Sequence, residues 1–128
     1  MLLLDANFLI ALSEEEDRRR AGAAVAFLRA NPGRQTVVSL VAVGEYLEGI
    51  EDINQGLRFL RRHTLVGVNL AVARKGAELQ GRLNRRLGEN DAWLAATALV
   101  HGLTLVTADR DFARVPRLKV ADFTESTS

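Results

Sequence analysis

Five acidic residues stand beside or within apolar runs of the sequence, where a solvated surface carboxylate is not expected. They are Asp5, Glu45, Asp91, Asp109 and Asp111. Several unpaired carboxylates brought close together repel one another and raise each other's pKa, so such a cluster usually surrounds a cation. A site made only of oxygen donors suits Mg²⁺ or Mn²⁺. Paired cations of this kind hydrolyse phosphodiester bonds with an activated water molecule.

The positions of these acids relative to the predicted strands indicate that they meet. Asp5 directly follows the buried run Leu2–Leu4, and Asp109 follows a second buried run with two small residues between. Both are therefore predicted at the carboxyl ends of strands, which is the edge where ligands bind in parallel α/β sheets. Asp91 opens a strongly apolar helix and Glu45 lies within another, so both should border the core.

Taken singly, each acid also has a purely structural explanation. Asp91 would gain ~0.3–1 kcal/mol at the N-terminus of a helix, and Asp5 and Asp109 are of a type common in turns and caps. Asp111 can cap the short turn that begins beside it, and Glu45 can lie on the polar face of its helix. The functional interpretation therefore depends on the combination of the acids.

Strands alternate with helices along the chain. Strands are predicted at 2–4, 35–38, 64–68, 104–106 and 117–121, and helices at 7–12, 18–30, 39–50, 53–62, 70–87 and 90–100. Ser39 is the predicted cap of the third helix and Asn90 that of the last, and the acidic residues 14–17 are predicted to form a connection. This alternation predicts an α/β fold with a central, mostly parallel sheet covered on both faces. We expect one domain over residues 1–123 and a polar tail at 124–128.

The composition is that of a globular domain, because 48% of the 128 residues are hydrophobic and 26% are charged. The absence of cysteine excludes a disulfide framework, a thiolate zinc site and a cysteine nucleophile, and it fits a reducing cytoplasm. The apolar start, Met1–Leu4, is too short for a signal peptide. No run reaches the ~20 apolar residues that span a bilayer, so we expect a cytoplasmic protein without a membrane partner.

The net charge of +1 conceals a basic segment between Gly56 and Gly88. Eight basic residues and one acid, Glu78, give this segment +7, which leaves −6 for the rest of the chain. The imbalance suggests a polyanionic partner for one surface, although solvated helix faces would have the same composition. The two histidines, His63 and His101, are predicted to be structural or surface residues.

Four segments of the chain carry a family resemblance. They are LLDANFLI at 3–10, VGEYLEG at 43–49, GENDAWLAA at 88–96 and LVTADRDF at 105–112. In this order they resemble the PIN-domain ribonucleases, and most closely the VapC-type toxins of bacterial and archaeal toxin–antitoxin pairs. The departures are small: Ala6 stands where threonine is common, and Asp109 and Asp111 show the tighter of two family spacings.

The resemblance implies a PIN-like three-layer α/β/α sandwich and a role for residues of each segment. The catalytic acids would be Asp5, Glu45, Asp91 and Asp109, and the metal ligands would be Asp5, Asp91, Asp109 and Asp111. The supporting polar residues would be Asn7, Asn90 and Thr107.

The same resemblance implies an endoribonuclease that depends on Mg²⁺ or Mn²⁺ and acts as the toxin of a toxin–antitoxin pair. Its partners would be an RNA substrate, a small cognate antitoxin and a second copy of the chain. Within the basic segment, Arg82, Arg85 and Arg86 are the candidate contacts for RNA phosphates, an attraction that would weaken with salt.

Three alternatives remain beside this interpretation. A PIN-like module could bind RNA or protein without cleaving it. A phosphoacceptor receiver domain would need a lysine late in its sheet, but the only lysines are Lys75 and Lys119, and Lys119 falls within the last predicted strand. A haloacid-dehalogenase-type phosphatase would have an aspartate two residues after Asp5, where Asn7 stands.

Overall fold

Five short parallel strands form the central sheet of the computed structural model, which describes residues 1–125. The strands are β1 (Leu2–Leu4), β2 (Thr36–Ser39), β3 (Thr64–Val66), β4 (Thr104–Val106) and β5 (Val120–Ala121). Their spatial order is β3-β2-β1-β4-β5, and Leu4 of β1 is level with Val106 of β4. From β1 the chain adds β2 and β3 on one side, and it then crosses to the other side of β1 to add β4 and β5. The strand order therefore reverses between β1 and β4. Ligands of open α/β sheets bind beyond the carboxyl ends of such a strand pair.

Six α-helices connect these strands and cover the sheet. They are α1 (Ala6–Asp17), α2 (Ala23–Ala30), α3 (Leu40–Glu48), α4 (Ile53–Leu60), α5 (Leu70–Arg82) and α6 (Glu89–His101), followed by a 3₁₀-helix at Arg110–Arg114. All three residues of β1 are fully buried, so both faces of the sheet are covered. The predicted α/β sandwich with a parallel sheet is therefore confirmed. Within residues 1–125, no helix is both long enough and apolar enough to cross a bilayer.

Short polar side chains fix where several helices begin. Asp5, Ser39, Asp52 and Asn69 precede α1, α3, α4 and α5, and each accepts a hydrogen bond from an amide of the first turn. Helix α2 follows Gly22, which has no side chain to cap it. The carboxylate of Glu15 in α1 takes this role by accepting hydrogen bonds from the amides of Gly22, Ala24 and Val25. One side chain thus joins the ends of two helices.

The segment 83–88 differs most from the sequence prediction, which extended α5 to residue 87. Helix α5 ends at Arg82, because the side-chain amide of Gln80 pairs with the backbone of Leu87 and draws the chain back. Gly88 then forms the N-cap of α6, so the prediction that Asn90 caps this helix was wrong. Asn90 lies inside the first turn instead.

Three other predicted boundaries were also wrong. The acidic residues 14–17 belong to the last turns of α1 rather than to a connection, and α2 begins at Ala23 rather than at residue 18. The last strand is limited to Val120–Ala121, since Arg117 has a φ of 67°, in the left-handed region that no strand residue adopts. Of the predicted tail at 124–128, residues 126–128 lie outside the described residues.

The strand order also decides against the receiver-domain alternative. Receiver domains have the order 2-1-3-4-5, whereas this sheet has the order 3-2-1-4-5. Lys119 directly precedes β5 and so lies toward the amino edge of the sheet, away from the acids that follow β1 and β4.

Candidate active site

Asp5 is a buried carboxylate at the carboxyl end of β1, with only 5% of its surface exposed. Its Oδ1 accepts a hydrogen bond of 2.7 Å from the amide of Phe8, which makes it the N-cap of α1. Thr107, which is buried directly after β4, lowers the pKa of Asp5 from the neighbouring strand end. Residues that follow β1 and β4 therefore meet at this carboxylate.

Asp109 stands on the same edge of the sheet, three residues beyond the end of β4. Its amide donates to the Thr107 hydroxyl oxygen at 3.1 Å, and its own Oδ1 accepts from the amide of Asp111 at 2.9 Å. Thr107 thus connects Asp5 to Asp109. This placement confirms that the two aspartates lie on one edge of one sheet, while the Asp109 side chain remains exposed.

Asp91 lies in the first turn of α6, and Glu45 is half-buried on α3, a helix that packs against α6. Burial raises the pKa of Asp91 above its ordinary value. The negative charges of Asp109, Glu45, Asp111 and Asp5, in decreasing order of effect, raise that pKa further. The structure therefore brings the other four predicted acids within electrostatic range of Asp91.

Asp5 shows the same tendency toward protonation. Burial raises the pKa of Asp5, the hydrogen bonds from Thr107 and Phe8 oppose this, and the charge of Asp109 raises it again, with a net upward shift. Within residues 1–125, no three acidic or histidine side chains are close enough together to hold a metal ion as they stand. The acids form a mutually repelling group rather than a preformed cage, and their roles as ligands stay predictions.

Asp111 differs from the other acids because two arginines neutralise it. Arg114 donates to it from Nε at 2.7 Å and from Nη2 at 3.1 Å, and Arg85 donates from Nη2 at 3.0 Å. The hydrogen bond from Arg114 is the main cause of the lowered pKa of Asp111. Sequence reasoning did not identify Arg114, although an acid and an arginine three residues apart on a helical turn are neighbours.

The remaining predicted residues lie on the surface around this edge. Asn7 is exposed in the first turn of α1, and Asn90 is exposed in the first turn of α6. Arg82 ends α5, and Arg86 borders a cavity of about 470 Å³ together with Trp93. The supporting role of the two asparagines and the RNA contacts of the arginines stay predictions.

The basic residues of the segment 56–88 lie on different parts of the surface. Arg61 and Arg62 precede β3, so they lie toward the amino edge of the parallel sheet, where Arg62 pairs with Glu16 at 3.0 Å. His63 lies beside them, with Nδ1 2.6 Å from the hydroxyl of Thr36 at the start of β2. Within this segment, Arg85 is the arginine that pairs with one of the acids, Asp111, at 3.0 Å.

The raised pKa of Asp91 predicts that Asp91→Asn stabilises the cation-free chain at neutral pH. The folded chain holds this proton to a higher pH than the unfolded chain. The free energy of unfolding therefore loses a contribution as pH rises from the ordinary value near 3.8 through the raised pKa. The advantage of Asp91→Asn over the native chain in EDTA should grow between about pH 4 and pH 7.

Urea unfolding at several pH values would measure this advantage. Glu89→Gln is the matched control, because Glu89 lies in the same first turn of α6 and shares the favourable interaction with the helix dipole. A native chain that is more stable than Asp91→Asn at pH 7 in EDTA would contradict the repulsion inferred here.

Comparison with known proteins identifies the family of this fold and site. The PIN domain matches residues 2–118 of the chain, a span that contains all five acids. The chain belongs to the PIN-domain family. Ribonuclease VapC4 of Mycobacterium tuberculosis is 30% identical to it over 100 residues, which are 69% of this chain and 77% of that relative.

Solved structures of proteins from toxin–antitoxin systems and of a toxin have the same architecture. A chain of a toxin–antitoxin complex from Klebsiella pneumoniae is 28% identical to this PIN domain, with a TM-score of 0.78 over 98% of this chain and all of the other. Mycobacterium tuberculosis VapC20, described as a toxin that cleaves the sarcin–ricin loop, has a TM-score of 0.66 at 20% identity. That match covers 88% of this chain and 93% of VapC20, and it shows a shared fold.

Proposed function

We propose that this PIN-domain chain is an endoribonuclease that depends on a divalent cation and acts as the toxin of a toxin–antitoxin pair. The observation that carries the proposal is the group of acids beyond the carboxyl ends of β1 and β4, where the charges of Asp109, Glu45 and Asp5 raise the pKa of Asp91. The name of the VapC4 relative as a ribonuclease supports the reaction. The toxin–antitoxin complex that contains the Klebsiella relative supports the biological setting.

The donors at this edge fit a hard divalent cation, because they are carboxylate oxygens whose repulsion a positive charge would relieve. We propose that Asp5, Asp91 and Asp109 hold Mg²⁺ or Mn²⁺, with Asp111 as a further acid at the rim. When bound, such a cation supplies Lewis-acid activation of water and neutralises charge that develops on the phosphate.

The protein's own side chains divide the remaining tasks. Asp5 is the buried member, and the Phe8 amide fixes one oxygen of its carboxylate. Asp109 is exposed, with its amide bonded to Thr107 and its Oδ1 bonded to the amide of Asp111. Glu45, which is not among the proposed cation ligands, is our candidate for the base that accepts a proton from the attacking water at its carboxylate.

We further propose that the RNA backbone reaches the acids over Arg82, Arg85 and Arg86, exposed residues at the end of α5 and in the segment that follows it. Contacts of this kind recognise phosphate rather than base sequence, so salt should weaken RNA binding.

A second copy of the chain and a small antitoxin are the proposed protein partners. Exposed apolar side chains, including Leu40 and Leu70, would suit a protein contact.

Cleavage of structured RNA with controlled metal content tests the proposal. End-labelled sarcin–ricin hairpin, an unrelated hairpin and an unpaired strand would be incubated with the purified chain in Mg²⁺, in Mn²⁺ and in EDTA. We expect cuts at defined positions with either cation and none in EDTA, and no cut in the DNA version of the same hairpin.

Two results would contradict the proposal. Cleavage that persists unchanged in EDTA would exclude a dependence on divalent cations. Tight RNA binding without cleavage in any cation would support the alternative of a non-catalytic PIN-like binding module.

A further inference from the structure

The segment 83–88 joins α5 to α6 without regular secondary structure, yet the fold holds it at two points. At one point, the side chain of Gln80 donates to the carbonyl of Leu87 at 2.8 Å and accepts from its amide at 2.9 Å. At the other, Nη1 of Arg114 donates to the carbonyl of Arg85 at 2.8 Å. The segment is therefore positioned by side chains of α5 and of the 3₁₀-helix.

Arg114 binds a second partner with the rest of its guanidinium group. Its Nε and Nη2 donate to the two carboxylate oxygens of Asp111 at 2.7 and 3.1 Å, in the bidentate arrangement that fixes geometry as well as charge. Only 28% of the Arg114 side chain is exposed. One guanidinium group therefore ties the 3₁₀-helix to the segment 83–88.

This tie continues by hydrogen bonds to the turn that carries Asp109. The amide of Asp111 donates to Oδ1 of Asp109 at 2.9 Å, and the amide of Asp109 donates to the hydroxyl oxygen of Thr107 at 3.1 Å. A displacement of Arg114 would therefore move Asp111 and, through it, Asp109.

Arg85 has a different relation to the same carboxylate. It contacts Asp111 through Nη2 at 3.0 Å, and 76% of its side chain is exposed. Exposed ion pairs contribute little to stability, so Arg85 can leave Asp111 at small cost. Asp111 would keep its bidentate partner, Arg114, and the freed guanidinium would lie beside the acids.

We propose that Arg114 is a positioning residue that fixes the Asp109 turn and the segment 83–88 relative to each other, and that Arg85 exchanges Asp111 for a phosphate of the bound RNA. This inference rests on the proposed ribonuclease function. The proposal gives different roles to Arg85 and Arg114, although both bind the Asp111 carboxylate. Experiments can therefore distinguish the effects of replacing each arginine.

Amide hydrogen exchange tests the positioning role without any reaction. In Arg114→Lys the charge remains, but a single ammonium group cannot span Asp111 and the Arg85 carbonyl. The amides of Leu87 and Asp111 should exchange about 10–100-fold faster, while the amide of Leu3 in β1 keeps its rate. The matched control is Arg110→Lys, on the exposed side of the same 3₁₀-helix. Unchanged rates at Leu87 and Asp111 would overturn the positioning role.

Steady-state cleavage separates the two arginines. Arg114→Lys should lower kcat by about 10–100-fold with little change in KM. A loss of activity of this size is usual when a residue that orients the groups of a site is replaced. Arg85→Ala should raise KM at nearly constant kcat and should reduce the salt dependence of RNA binding by about one phosphate contact. Arg110→Lys should leave both parameters unchanged. Equal effects of the two substitutions on kcat and KM would overturn the division of tasks.

A double-mutant cycle tests whether Arg114 acts through Asp111. If it does, Asp111→Asn combined with Arg114→Lys should lower kcat no further than the more damaging single substitution. Multiplicative losses, with Asp111→Asn alone raising the Mg²⁺ concentration needed for half-maximal rate, would overturn the inference and make Asp111 a direct cation ligand. If the native chain cleaves no RNA, the proposed function fails, whereas the exchange rates still decide the role of Arg114.

Discussion

Asp5→Asn is expected to reduce RNA cleavage by at least about 1000-fold, which corresponds to about 4 kcal/mol of transition-state stabilisation. The substitution removes the negative charge of the only buried acid in the proposed cation site. Asparagine caps helices as well as aspartate does, so its side-chain oxygen can still accept the Phe8 amide and α1 should begin as before. The loss would therefore arise from the chemistry of the site and not from misfolding.

Single-turnover cleavage and urea unfolding in EDTA, measured on the same preparation, would test both parts of this expectation. Burial raises the pKa of Asp5, so the neutral side chain should make the cation-free protein at least as stable as the native chain at pH 7. Asp17→Asn, at the exposed end of α1, is the matched control and should cleave normally. Full activity of Asp5→Asn would remove Asp5 from the site, and a large loss of stability would show that its charge supports the fold.

Phe8→Ala is expected to lower the free energy of unfolding by about 3–5 kcal/mol, a large part of the stability of a domain of this size. Phe8 is fully buried and packs edge-on against Phe27 of α2, at 5.9 Å between ring centroids, and against Phe123, at 4.9 Å. It also belongs to the turn of α1 that holds Asp5. Truncation leaves a cavity between three parts of the chain that meet only in the folded state.

Urea unfolding of Phe8→Ala beside Leu57→Ala would measure this contribution. Leu57 lies on α4 with 39% of its surface exposed, so its truncation should cost about 0.5 kcal/mol or less. Both substitutions remove apolar side-chain atoms, but Phe8 is fully buried and Leu57 is partly exposed, so the comparison reports mainly the effect of burial. A loss below about 1 kcal/mol for Phe8→Ala would mean that the aromatic cluster contributes little to the core.

The position of the acids along the chain was largely predictable, because the signals are local. A buried run followed by an aspartate predicts a strand end, and parallel strands place their carboxyl ends on one edge, as Asp5 and Asp109 show. Ser39 was recognised as a helix cap for the same reason, since its hydroxyl bonds an amide two residues away. The four motif segments extended this local reading to the family.

Boundaries set by distant contacts were not predictable. Helical periodicity continued through residues 83–87, but the pairing of Gln80 with Leu87 ends α5 earlier, and periodicity carries no information about such a side-chain bond. The net charge of residues 56–88 likewise says nothing about where each arginine lies. Chain direction through the sheet places Arg62 toward one edge and Arg85 at the other.

The sequence by itself determined the α/β class, the parallel sheet and the position of Asp5 and Asp109 at the carboxyl edge of that sheet, because hydrophobic periodicity, caps and strand ends are encoded by neighbouring residues. Only the tertiary structure decided how those acids are supported. Arg114 reaches the carbonyl of Arg85 across 29 positions of the chain. A contact of that kind exists only after the 3₁₀-helix and the end of α5 have packed side by side.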